Sequence, residues 1–208
     1  MTQWIRGGGL VLVGALLLAA DQAFSQEKPA AKTGQPDPML EAWMKVSLPG
    51  SEHQRLASLA GSWTGTVKMW MDPAKPPTES TCTAERHWIL GGRFLQEEVK
   101  GQFQGQPFQG MGLMGYDNLQ KKYTWVWVDS MSTAITTSLG TADASGKVLT
   151  FTRAETDPIT GKKFKAKDVV HLTGPDQQLL EMFKKEPGGK EIKVMEISLT
   201  RKAKPAPR

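Results

Sequence analysis

Cysteine is almost missing from this chain: Cys82 stands alone among 208 residues. One thiol makes no intrachain disulfide and supplies no cysteine-rich zinc site. Stability must therefore come from the core, with Cys82 expected there as a small buried residue. Histidine is scarce too. His53, His87 and His171 are the full set, and no spacing among them has the pattern of a metal site. Long apolar runs are absent. The longest, Leu10–Ala20, has 11 residues, against about 20 for a membrane-spanning helix. The chain also lacks a Gly-x-Ser-x-Gly elbow, a phosphate loop and a His-Glu-x-x-His motif. Gly110, Gly112 and Gly115 imitate part of a dinucleotide fingerprint, but no helical pattern follows, so they read as points of strand coiling.

What is present begins with an address. Arg6, the short apolar run and Ala23-Phe24-Ser25 before Gln26 form an export signal with a cleavage site. Residues 1–25 are thus expected to be a signal peptide and residues 26–37, with Pro, Ala, Lys and Gly but no apolar period, a flexible tether. Residues 38–202 then form one domain and residues 203–208 a disordered basic tail. The expected location is the periplasm or the medium, with no transmembrane span after cleavage. The net charge of +5 is spread along the chain. It suits a solvated face and weak attraction to an anionic membrane surface, not a nucleic-acid groove.

Two helical segments precede a long series of strands. Pro38–Val46 has helical spacing of Met39, Trp43 and Val46, and Ser51 with Gln54 reads as a capping box ahead of Leu56 and Leu59. From residue 61 onward, strands are expected at 61–70, 78–90, 93–103, 107–117, 121–130, 133–141, 147–155, 162–173, 177–186 and 191–201. Short turns join them, Gly91-Gly92 being a two-residue hairpin signal. This predicts an all-β, antiparallel up-and-down barrel of about ten strands with one or two short N-terminal helices, closed so that no edge is left exposed.

The residues that open the strand series, Gly61-Ser-Trp63, resemble the first-strand step of calycin (lipocalin-like) barrels. With Gly110-Met-Gly-Leu-Met-Gly-Tyr-Asp-Asn118, Lys121-Lys-Tyr-Thr-Trp-Val-Trp127, Thr156-Asp-Pro158 and Lys193-Val-Met-Glu-Ile197, they resemble the bacterial family DUF1579, over roughly residues 50–202. The resemblance implies a barrel with a cavity and no established activity. Nitrobindins, similar in shape, hold haem through a histidine in the last strand. Here Ile192–Leu199 has none, so neither haem nor another cofactor is expected.

The expected guest is a small apolar or amphipathic molecule. Arg86 shares a strand face with Cys82, Ala84 and Trp88, and would anchor a polar head if unpaired or form an internal ion pair with one of Glu97, Glu98, Asp129, Glu181 and Glu196. Trp88 and Trp127 would form an aromatic wall, with Asp129 and Glu196 as further polar contacts. The alternatives are an acid–base enzyme using Asp129, Glu196 and Arg86, or an envelope-associated barrel without ligand. Trp63 is assigned to the barrel floor.

Overall fold

A computed structural model describes residues 37–203 apart from Pro187. The expected export signal, the expected tether as far as residue 36 and the expected tail from residue 204 lie outside the described residues. Asp37 belongs to neither tether nor loop: its carboxylate accepts from the Met39 amide, 2.9 Å, and caps α1 (Pro38–Ser47).

Helix α2 (Ser51–Arg55) runs into a 3₁₀ turn at Leu56–Leu59. Its cap lies one residue earlier than the Ser51/Gln54 pattern suggests. Gly50 is the N-cap, and its amide donates to Nδ1 of His53, 3.1 Å. Burial lowers the His53 pKa, in keeping with a ring nitrogen that accepts a hydrogen bond.

Ten strands follow: β1 (Gly61–Met69), β2 (Thr78–Ile89), β3 (Phe94–Phe103), β4 (Gln106–Asp117), β5 (Lys122–Asp129), β6 (Thr136–Ala142), β7 (Val148–Thr156), β8 (Lys163–Gly174), β9 (Gln177–Lys185) and β10 (Glu191–Arg201). The expected strands are all present, with ends displaced by three residues at most. Each pairs antiparallel with its chain neighbours, and β1 pairs with β10, which closes the barrel. No described helix is long and apolar enough to cross a membrane.

The 3₁₀ turn plugs one end. Leu56 and Leu59 pack against Leu95, Tyr123, Leu149 and Phe151, all buried. Complete burial of each such side chain contributes about 1.5–3 kcal/mol. Trp63 ties the plug to the wall: its indole donates to the Leu59 carbonyl, 3.0 Å. The Arg201 guanidinium, opposite Trp63 across β1–β10, lies 4.1 Å from the ring centroid and donates to the carbonyls of Ser58 and Ala60. Gly61 has φ +114°, and a Cβ there would lie 2.5 Å from an Arg201 nitrogen. The Gly-x-Trp step is thus required by backbone conformation and by the arginine beside it.

Gly110 and Gly112 do something other than coil the strand. Neither has a positive φ. A Cβ on Gly110 would sit 2.2 Å from the Trp127 ring, and one on Gly112 would sit 3.0 Å from Trp125 Nε1. These glycines make room for indoles from β5.

Candidate interior binding site

Inward-facing positions follow from register. The row Arg86, Glu97, Gly112, Trp127 runs directly across β2, β3, β4 and β5. Near the plug most such positions are buried, with Trp88, Tyr116, Ala142 and Leu172 half-buried. Toward the other end they become half-exposed in strand after strand: Val67 and Met69 in β1, Val99 in β3, Trp127 in β5, Met182 in β9, Met195 and Ile197 in β10. The half away from the plug is the more exposed one, although Cys82, Ala84, Ala166 and Asp168 stay buried within it.

Arg86 lies at the boundary, 11% exposed, and its partner Glu97 is 8% exposed. Nε and Nη2 of Arg86 donate to Glu97 Oε1 at 2.7 and 2.6 Å, and Nη1 donates to Gln178 Oε1 at 2.7 Å. Gln178 in turn donates to the Ser58 carbonyl, 3.1 Å. The guanidinium is therefore engaged by the protein. The reading of Arg86 as a free anchor for a ligand carboxylate is corrected to an internal ion pair that braces the floor of the open half. Beneath it, Leu59, Leu95, Met114, Trp125 and Leu180 help enclose a cavity of about 20 Å³, room for about one water molecule and too small for an apolar ligand.

Trp88 also faces inward, but it packs against the buried core beside Leu95. Trp127 packs against the same core, one inward row away and three strands round the barrel. Trp127 lies toward the open half, where its indole donates to Asp129 Oδ2, 2.9 Å. Asp129 is held further by the Met131 amide, 2.8 Å. Glu196 sits on the opposite, outer face, level with Lys68 and Glu181. There it takes a hydrogen bond from Lys193, 2.8 Å. Lys193 also pairs with Glu181 and holds that carboxyl below the usual range. Alternation in β10 separates Glu196 from Met195 and Ile197, so Asp129, Glu196 and Arg86 form no common pocket, and the acid–base arrangement is corrected on that ground. His87 and His171 both lie on outer-face positions, His171 3.0 Å from Glu181. Cys82 is buried, and burial pushes its thiol pKa up.

The sequence reading missed several interior groups. Met69, Met195 and Met182 are consecutive partners across β1, β10 and β9 and form a soft apolar stripe. Arg153 faces inward and pairs with both Glu155 and Asp168. Asp168 is 3% exposed, its Oδ1 has no hydrogen-bond partner, and burial raises its pKa to about 6 in spite of Arg153. Lys184 faces inward near the rim, donates to Asp157 at 2.8 Å and lies 4.6 Å from the Phe164 ring centroid. The Met195-Ile197-Leu199 alternation is visible in sequence; its inward direction needs the pairing with β1 and β9.

The family model of DUF1579, a protein of unknown function, matches residues 48–201. The chain belongs to this family. Among solved structures, this DUF1579 protein is similar to Rv2717c from M. tuberculosis, with 16% identity and a TM-score of 0.53 over 74% of this chain and 99% of that one. At that identity the likeness establishes the fold. The S-type phycobiliprotein lyase CPES from Guillardia theta aligns at 12% identity and a TM-score of 0.49, over 76% of this chain and all of that one. No curated protein matches the sequence.

Proposed function

We propose that this DUF1579 protein is an exported carrier or sensor that takes a small apolar or amphipathic molecule into the open half of its barrel. The observation that supports this is the half-exposure of inward-facing Trp127, Met69, Met182, Met195 and Val99 above a floor closed by Arg86 and Glu97. Apolar surface left wet inside a barrel is surface a guest can cover, at about 25 cal/mol per Å². In this reading the guest's apolar part lies on Trp127 and the methionine stripe, which adapts to shape through its unbranched side chains. Its polar end points outward, toward Asp129, Arg153 and Lys184. Arg86 contributes by keeping the floor in place. Export rests on the leader and Ser25–Gln26 cleavage, and N-terminal sequencing of the protein recovered from outside the cytoplasm should begin at Gln26.

Titration with the amphiphile 1-anilinonaphthalene-8-sulfonate tests the pocket. Saturable binding at one site is expected. Met182→Trp, which fills the open half, should weaken it by about tenfold, and Glu196→Gln on the outer face should leave it unchanged. Absence of saturable binding, or indifference to Met182→Trp, would return the barrel to the ligand-free, envelope-associated reading.

A further inference from the structure

The loops around the open end carry exposed apolar tips and an unneutralised positive charge on one arc. Going round the barrel, the loops at this end are β1–β2, β9–β10, β7–β8, β5–β6 and β3–β4. Ile159, in the β7–β8 loop, is 93% exposed, and Met71, Met131 and Ile135 project from two others. Residues 157–167 and 184–191 hold seven lysines and three carboxylates, a surplus of four out of the chain's net +5. Two of those lysines, Lys167 and Lys184, have acidic partners. Lys162, Lys163, Lys165, Lys185 and Lys190 are exposed, and among the described residues none has a carboxylate within ion-pair distance. Lys165 and Lys185 are direct cross-strand partners. Like charges placed opposite one another destabilise a sheet pair, so the arrangement costs stability unless an anionic surface neutralises it.

We propose that this arc docks the open end onto an anionic phospholipid bilayer. Ile159, Met131 and Ile135 would enter the headgroup region while the lysines face anionic lipid. An interfacial protein combines these two elements, apolar side chains for insertion and lysines for attraction. Asp157 and Glu186 balance Lys162 and Lys190 within the two loops, so the surplus comes from the adjoining ends of β8 and β9, and Asp157 is already engaged by Lys184. An acidic protein partner would account for the lysines but leave Ile159 without a role. The proposal goes beyond the ligand reading by naming the membrane as the place where a guest is collected or delivered. It rests on that reading only for the guest.

Co-sedimentation of the purified protein with vesicles decides it. Vesicles of phosphatidylcholine containing phosphatidylglycerol should bind the protein, pure phosphatidylcholine vesicles should bind it far less, and added salt should weaken the binding. Reversing Lys165 and Lys185 together to Glu should reduce partitioning by about tenfold or more, at roughly 1 kcal/mol for each lysine near the surface. Ile159→Asp should reduce it as well. Lys122→Glu, an exposed site at the plugged end, should have little effect. The double reversal exchanges a Lys–Lys pair for a Glu–Glu pair of the same like-charge kind at exposed positions, and circular dichroism verifies that the variant folds. Equal partitioning onto the two vesicle types, or an unaffected double reversal, or an equal loss with Lys122→Glu, would overturn the docking surface. Binding of 1-anilinonaphthalene-8-sulfonate without vesicles should be the same in the double reversal and the wild type, which separates failure of docking from failure of the pocket.

Discussion

Arg86 and Asp168 show how burial sets the role of single residues in this barrel. Arg86 is stable inside because Glu97 and Gln178 meet its guanidinium. Removing one partner leaves a buried charge, so Glu97→Ala should cost about 3–5 kcal/mol in urea unfolding. Arg86→Met combined with Glu97→Leu should recover most of that loss, since a packed apolar pair needs no compensation. A double-variant loss equal to the sum of the Arg86→Met and Glu97→Leu single losses would mean the pair is not coupled. Asp168 is unusual in sign. Its folded pKa, about 6, lies above the ordinary carboxylate value of 3.8. Folding therefore favours its protonated form, and its contribution is best below the unfolded pKa and declines as pH rises toward 6. Asp168→Asn should remove up to about 3 kcal/mol of that decline. His53, with its lowered pKa, works in the opposite direction as pH falls below 6.5. The informative quantity is thus the difference between variant and wild type at each pH. A constant difference from pH 4 to 7 would show that Asp168 does not titrate there.

At the scale of strands and turns, glycine and tryptophan act as one unit. Trp127 lies over Gly110 and is held through Asp129. Gly110→Ala should force the indole aside, cost about 1–3 kcal/mol, shift the tryptophan emission and weaken amphiphile binding. Unchanged emission would mean that the ring does not rest on the glycine. Much at this scale was legible in the sequence. Gly91 and Gly92, at φ +67° and +80°, fix the β2–β3 turn, and a hairpin centred on them places Arg86 opposite Glu97. Glycine turns and period-two patterns located all ten strands because both depend on local backbone geometry. Which face points inward was not legible. In β5 the indoles Trp125 and Trp127 alternate with Val126 and Val128, so both faces are apolar and hydrophobicity cannot choose between them. Glu196 was placed wrongly for the same reason, since its side of β10 is decided by pairing with strands distant in sequence.

The barrel of residues 61–201 is a closed wall with a plug at one end, and its stability should be distributed accordingly. Closure gives each strand two neighbours, but the seam is uneven. Strand β6 pairs with β5 only over Tyr123–Trp127 and with β7 only over Leu139–Ala142, whereas β3 pairs along nearly its full length with β4. Ser138 and Gly140 are buried within β6, but Leu139 is exposed and the β5–β6 loop adds no buried side chain. Fewer ladder bonds and less apolar burial lower the free energy of local opening. Amide hydrogen exchange should therefore find Thr136–Ala142 the least protected strand and the plug-side parts of β1, β2 and β3 exchanging only on global unfolding. An amphiphile in the open half should slow exchange near Trp127 and Met182 while leaving the plug side unchanged. Uniform protection around the barrel would contradict the uneven seam. Added protection confined to the outer face around Glu181 and Glu196 would put the guest outside the barrel altogether.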